Sequence, residues 1–79
     1  LNKHAQEPFA ITLRTLRQNR HMSQYDLATA TGLDRTSISL LERGMRSPTL
    51  GTMQILCKAL NVSLTSMAAL IEASTEGEQ

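Results

Sequence analysis

The 79-residue sequence has one cysteine, two aromatic residues and no tryptophan. Cys57 alone can form neither an intrachain disulfide nor a cysteine-based metal cluster. Phe9 and Tyr25 are too few for an aromatic-rich sheet core, and the alternation that marks strands is missing. No apolar run approaches the roughly 18–20 residues of a membrane span, and no signal-peptide pattern is visible. These absences fit a reducing compartment, so the sequence reads as cytoplasmic and without membrane association. Charge of one sign is scarce as well: eight Lys and Arg stand against seven Asp and Glu, for a net charge of +1. His4 and His21 lack partners at metal-ligand spacing, so no metal and no cofactor are expected. There is no Gly-rich phosphate loop, nucleophile–base pair or carboxylate pair, which argues against an enzyme. A chain this short leaves little room for a deep pocket, so no small-molecule ligand is expected.

The apolar residues, 41% of the chain, are mostly aliphatic and recur at helical spacing. Residues 1–7 are polar and read as a flexible arm. Pro8 suits the first position of a helix, and Phe9, Leu13 and Leu16 give it an inner face to about residue 20. Ser23 reads as the N-cap of a second helix, with Asp26 as the acidic arm of a capping box; Leu27, Ala28 and Thr31 face inward until Gly32 stops it. Asp34 caps a third helix over about 35–43, with Ile38 and Leu41 inward and Gly44 at its end. After the loop Met45-Arg46-Ser47-Pro48, Thr49 caps a fourth helix with the stripe Leu50, Met53, Leu56, Cys57 and Leu60, stopped by Asn61. Ser63 caps a fifth, in which Leu64, Met67, Leu70 and Ile71 are apolar and Ala68 and Ala69 small. Met22, Met45, Met53 and Met67 read as packing residues and Cys57 as core. The expectation is one compact, all-α, five-helix domain over 8–73, followed by a polar tail over 74–79.

Charge is unevenly spread. Residues 1–47 hold seven basic residues against four acidic, and residues 48–79 hold one against three. Six of the seven are arginines, which pair bidentately with phosphate or guanine. A positive half beside a negative one suits a phosphate-facing surface, although a solvated surface would look the same by charge alone. The stretch from Gln24 to Gly44 is more specific. Two short helices joined by a turn containing Gly32 are each too short to stand alone, so they need the first and fourth helices to pack on. That arrangement is a helix-turn-helix, whose second helix enters the DNA major groove. The outer face of its second helix reads Asp34, Arg35, Thr36, Ser37, Ser39 and Leu40. A face meant only for solvent would carry Glu and Lys, whereas Thr and Ser weaken a helix. Short hydroxyl side chains let a helix lie deep in a groove, and Arg35 at its start is placed to reach guanine O6 and N7. Capping and solvation of the helix are the plainer use of the same residues.

From Ser23-Gln24-Tyr25-Asp26-Leu27-Ala28 through Gly32-Leu33-Asp34-Arg35-Thr36-Ser37-Ile38-Ser39 to Glu42-Arg43-Gly44, the sequence resembles the phage repressor/Cro-type (XRE) helix-turn-helix family. Ser47-Pro48-Thr49-Leu50, Leu56-Cys57-Lys58-Ala59-Leu60 and Asn61-Val62-Ser63 extend the resemblance to about residues 9–71. Leu33-Asp34-Arg35-Thr36 with Ile38-Ser39 is similar to the controller proteins of restriction–modification systems, small dimers of the same fold. The resemblance implies a lambda-repressor-like fold and a sequence-specific transcriptional regulator that binds double-stranded DNA. It implies base reading by Arg35, Thr36 and Ser39, with Leu40 turned either to a thymine methyl or to the loop. Phosphate contacts are implied for Ser23 and Gln24 at the start of the second helix, and for Arg43, Arg46 and Ser47 after the third. A structural ion pair is implied between Arg17 and Glu42.

One recognition helix reads only a few base pairs, and a symmetric dimer sets two of them about 34 Å apart on a pseudo-palindrome. Leu64, Met67, Leu70 and Ile71 exceed what one small core needs, and Ala68 and Ala69 permit close approach. The fifth helix is therefore the expected homodimer interface; closure of the monomer core is the other use of that stripe. Two further functions stay open on these residues: a protein-interaction module of the same fold, such as an antitoxin or adaptor, and the DNA-binding head of a longer ligand-sensing regulator.

Overall fold

The computed structural model describes residues 3–76, with side chains over 8–74. Among the described residues there are five helices and no strand: α1 Lys3–Asn19, α2 Gln24–Thr31, α3 Arg35–Glu42, α4 Leu50–Ala59 and α5 Leu64–Glu76. Each of the last four begins where a short oxygen-bearing side chain precedes it. Ser23 Oγ accepts the Asp26 N–H while Asp26 Oδ2 accepts the Ser23 N–H, both at 2.9 Å, which is a complete capping box. Asp34 Oδ1 accepts the Ser37 N–H at 3.0 Å, Thr49 Oγ1 the Thr52 N–H at 3.1 Å and Ser63 Oγ the Ser66 N–H at 2.9 Å.

The helix ends follow from backbone handedness. Gly32 (φ 78°) and Gly44 (φ 70°) take the left-handed conformation that a side chain would strain. Gly32 returns its N–H to the Ala28 carbonyl at 2.9 Å and so closes α2. Asn61 does the same work after α4 with φ 57°, as its position suggested. His21 also has φ 57°, a left-handed stop after α1 that the sequence did not signal.

α1 starts at Lys3 and not at Pro8, so the proline lies inside the helix. It forfeits one backbone hydrogen bond there, and the buried Phe9, Ala10 and Leu13 that follow it hold the helix against the rest of the domain. Of the arm expected over 1–7, Leu1 and Asn2 lie outside the described residues, and the backbone from Lys3 onward is helical. α5 continues to Glu76, into the segment read as a tail; residues 77–79 lie outside the described residues.

α1 packs on α3 and α5, α2 on α3 and α4, and α4 on α5. The core they enclose contains Phe9, Leu13, Leu27, Ile38, Leu41, Leu56, Cys57, Leu60 and Met67. Burying a Leu or Ile side chain stabilises by about 1.5–3 kcal/mol, so these positions carry α2 and α3, which have only eight residues each. Burial pushes the Cys57 thiol above its ordinary pKa, which keeps it an unreactive packing group. Two apolar residues depart from expectation: Met45 and Leu50 are exposed, because both flank the loop after α3 and point away from the helices that enclose the core.

Candidate nucleic-acid interface

The site is organised around a buried charge. Glu42, the last residue of α3, has a fully buried side chain, and the Arg17 side chain beside it is 11% exposed. Arg17 Nε donates to Glu42 Oε2 at 2.6 Å and Arg17 Nη2 donates to Oε1 at 2.9 Å, a fork-to-fork pair. The third nitrogen, Nη1, donates to the Met22 carbonyl at 2.8 Å, which ties the α1–α2 connection to the same guanidinium. The hydrogen bond to Glu42, with its charge adding and burial opposing, holds Arg17 above the usual arginine pKa. Arg14 gives a second cation: Nη2 donates to the Glu42 carbonyl at 3.3 Å and Nε lies 3.8 Å from Oε1. Gln24 Nε2 donates to Glu42 Oε1 at 3.1 Å. Among the described residues no buried side-chain polar atom is left without a partner. The C-terminal end of α3 is thus fixed to α1 and α2 by one carboxylate.

The opposite side of α3 is displayed outward. Ile38, Leu41 and Glu42 face in, Arg35 and Thr36 are exposed, and Ser37, Ser39 and Leu40 are partly exposed. Arg35 Nη1 donates to Gln24 Oε1 at 3.1 Å. In the loop that follows, Arg43, Arg46 and Ser47 are exposed, and Arg46 Nη1 donates to Ser37 Oγ at 3.3 Å. Hydrogen bonds from the Ser37 side chain and then its backbone hold the Asp34 carboxyl below the usual carboxylate range; slight desolvation opposes this and Arg46 adds to it.

The arrangement brings together Gln24, Arg35, Thr36, Ser39, Arg43, Arg46 and Ser47 on and around α3. At the start of α2, the capping box consumes the N–H groups of Ser23 and Asp26. The N–H groups of Gln24 and Tyr25 have no carbonyl a turn back within the helix, so they are the donors that end offers to an anion. Ser23 keeps its hydroxyl hydrogen for donation. The fifth-helix stripe needs a correction. Met67 is 0% exposed and belongs to the monomer core, so it is not available to a partner; Ile71 is partly buried against that core. Leu64 (38%) and Leu70 (44%) are the members of the stripe that face out. Two features escaped the sequence reading: the role of Arg14, and the use of Gln24 inside the protein. Arg14 and Arg17 are three residues apart, a spacing that puts both on one helix face and could have suggested a shared partner.

Two short helices joined at a left-handed glycine, with the second packed on α1 and polar outward, define a helix-turn-helix domain. The Helix-turn-helix family HTH_3 matches residues 13–67, and this chain belongs to that family. It is similar to the control protein C.SmaI from Serratia marcescens, with 43% identity over 61 residues, covering 77% of this chain and 73% of that protein. Among solved structures it resembles the restriction-modification controller protein C.AhdI from Aeromonas hydrophila, with TM-score 0.79 and 32% identity over 84% of this chain and 96% of that one. It also resembles the controller protein C.Esp1396I, seen as a tetramer in complex with its natural 35 base-pair operator, with TM-score 0.82 and 28% identity over 89% and 92% of the two chains.

Proposed function

We propose that this helix-turn-helix protein, a sequence-specific DNA-binding transcriptional regulator, binds a pseudo-palindromic operator as a homodimer with α3 in the major groove. One observation carries the reading: α3 is anchored from behind by the buried Glu42 pair while it presents Arg35, Thr36 and Ser39 outward. A rigid backing with a short polar front is what groove entry requires. Arg35 takes guanine O6 and N7, Thr36 and Ser39 contact neighbouring base edges, and Leu40 meets a thymine methyl at the rim. Ser23, Gln24, Arg43, Arg46 and Ser47 hold the phosphate backbone on either side, which sets register without reading sequence. Leu64 and Leu70 of α5 supply the exposed apolar area for a second copy, with Ile71 at its edge. The relative C.Esp1396I occupies its operator as a tetramer, which supports an assembly of more than one chain on DNA.

The reading is of a binding protein and not an enzyme, and its DNA ligand puts its work in the cytoplasm. Among the described residues no single helix is long and apolar enough to cross a membrane. Selection of bound sequences from a random DNA pool tests the proposal. An enriched inverted repeat, with half-sites about one helical turn apart, is expected; recovery of no enriched sequence overturns it.

A further inference from the structure

We propose that the homodimer contact runs across α1 as well as α5: Ile11 and Leu70 line one groove, and a second copy of this chain packs there through the same two residues. The inference rests on the homodimer reading and states which flank of α5 meets the partner. Met67 points into the core. Leu64 and Leu70 lie three residues before and after it, so at about 100° per residue they flank it on opposite sides of the helix. One partner surface cannot centre on both. Leu70 faces the α1 side, where it shares a groove with Ile11 and Leu16. Ile11 is 56% exposed, more than Leu70 at 44% or Leu64 at 38%. A stable interface buries about 800 Å² per partner, and two half-exposed leucines fall far short of that. Ile11 and the groove wall supply adjoining apolar surface, and Leu64 then sits at the margin of the contact.

The chemistry of the groove selects a copy of itself as occupant. In a two-fold contact each surface meets its own duplicate, so a charge near the axis would meet like charge. The apolar part of the lining is Ile11, Leu16 and Leu70, the rest is threonine, serine and asparagine, and among the described residues no ionisable side chain lines it. Hydroxyls and carboxamides both donate and accept, so they can pair with their own copies. The exposed arginines Arg35, Arg43 and Arg46 lie elsewhere, on α3 and the loop after it. At about 220 Å³ the groove is also smaller than the roughly 300–1,000 Å³ of a small-molecule pocket. α1 carries Arg14 and Arg17 as well, which hold the Glu42 end of α3. One helix therefore joins the partner contact to the reading helix, and the separation of two α3 helices, about 34 Å on one face of DNA, is set through a rigid element.

The test uses the full chain with Ile11→Glu, Leu70→Glu and Leu64→Glu as single variants, each checked for folding by thermal melting. All three positions are exposed, so each variant should melt close to the parent. Sedimentation gives the dimer dissociation constant, and binding is measured on the palindrome found by selection and on an isolated half-site. Ile11→Glu and Leu70→Glu are each expected to raise the dimer dissociation constant and weaken palindrome binding at least about tenfold, with half-site binding unchanged. Leu64→Glu should change each by less than about twofold. In a mixture of isotope-labelled and unlabelled parent, NMR should show contacts between the Ile11 methyl groups and the other copy, a readout that needs no variant. A dimer of parental strength in Ile11→Glu, a loss confined to Leu64→Glu, or no contact from Ile11 between copies of a dimeric parent overturns the α1 contact and leaves the homodimer standing. A parent that stays monomeric with and without the operator overturns the homodimer reading, and this contact with it.

Discussion

The outer faces of α3 and α5 sit on one small domain and are built in opposite ways. α3 shows Arg35, Thr36 and Ser39, held by a buried carboxylate with an arginine fork behind it. α5 shows Leu64 and Leu70 on either side of exposed Ala68 and Ala69, and its anchor is the apolar side chain of Met67 at 0% exposure. The difference follows from what each face would meet. Recognition of base edges depends on hydrogen-bond geometry, which tolerates little displacement, so the backing must be directional. Apolar contact is non-directional, so a helix carried by core packing suffices. The one buried ion pair among the described residues therefore sits on the helix that needs orientation.

The strongest way to break that comparison is to remove the directional anchor. Arg17→Ala leaves Glu42 buried with only Gln24 and the half-exposed Arg14 beside it. It should cost about 3 kcal/mol, at the low end for breaking a buried pair because those two partners remain. Arg14→Ala, whose side chain is 51% exposed, should cost less than about 1 kcal/mol. Denaturant unfolding of both variants measures the difference, and equal small losses would show that the pair does not anchor α3. The corresponding attack on α5 is Leu64→Glu combined with Leu70→Glu. Both positions are exposed, so the folding stability of the monomer should change by no more than about 0.5 kcal/mol. Affinity for the full palindrome should nevertheless fall about 100-fold, because two linked half-site contacts become independent. Sedimentation should find a monomer; a persistent dimer would remove α5 from the interface.

How far these two faces were legible in the sequence differs for a physical reason. The helix-turn-helix was legible because caps and stops are local: Ser23, Asp26, Gly32, Asp34 and Gly44 act within a few residues of themselves. The start of α1 was not, since a proline reads as a first turn unless the packing that tolerates it further in is known, and that packing is tertiary. Periodicity marked Met67 and Leu70 alike as apolar, but which one lies in the core and which is exposed depends on how the helices cross. Likewise Gln24 showed only that a polar residue begins α2; its two internal hydrogen bonds join residues 18 and 11 positions away.

Within the α3 face, two arginines sharpen the division between reading and gripping. Arg35→Ala should cost about 1–3 kcal/mol per half-site on the operator and relax the preference at one base pair. Arg46→Ala, from the exposed loop, should weaken operator and random DNA alike and reduce the salt slope by about one unit per protomer. Competition binding across a salt series separates the two. Matching behaviour of both variants would mean that α3 grips and does not read.

The smallest effect concerns the N-terminal end of α3, where the cap is itself charged. Asp34 accepts from the Ser37 hydroxyl and N–H, and these bonds hold its pKa below the ordinary carboxylate value of about 3.9. A depressed folded-state pKa means that the carboxylate stabilises the fold at all pH values above the ordinary range. The contribution is lost as pH falls below about 3.9 and through the lower folded-state value. Asp34→Asn keeps a side-chain oxygen for the Ser37 N–H but has no proton to gain. The melting temperatures of parent and variant should therefore lie close at neutral pH. On acidification the parent should lose more than Asp34→Asn, because acidic groups elsewhere titrate in both proteins. Ser37→Ala removes the hydroxyl donor and should move the Asp34 carboxyl titration, followed by NMR, back toward the ordinary range. An unchanged titration would mean that the backbone bonds and Arg46 depress it without the hydroxyl. The N-cap bond from the Ser37 N–H would then be the directional support at this end of α3, opposite the Glu42 pair at the other.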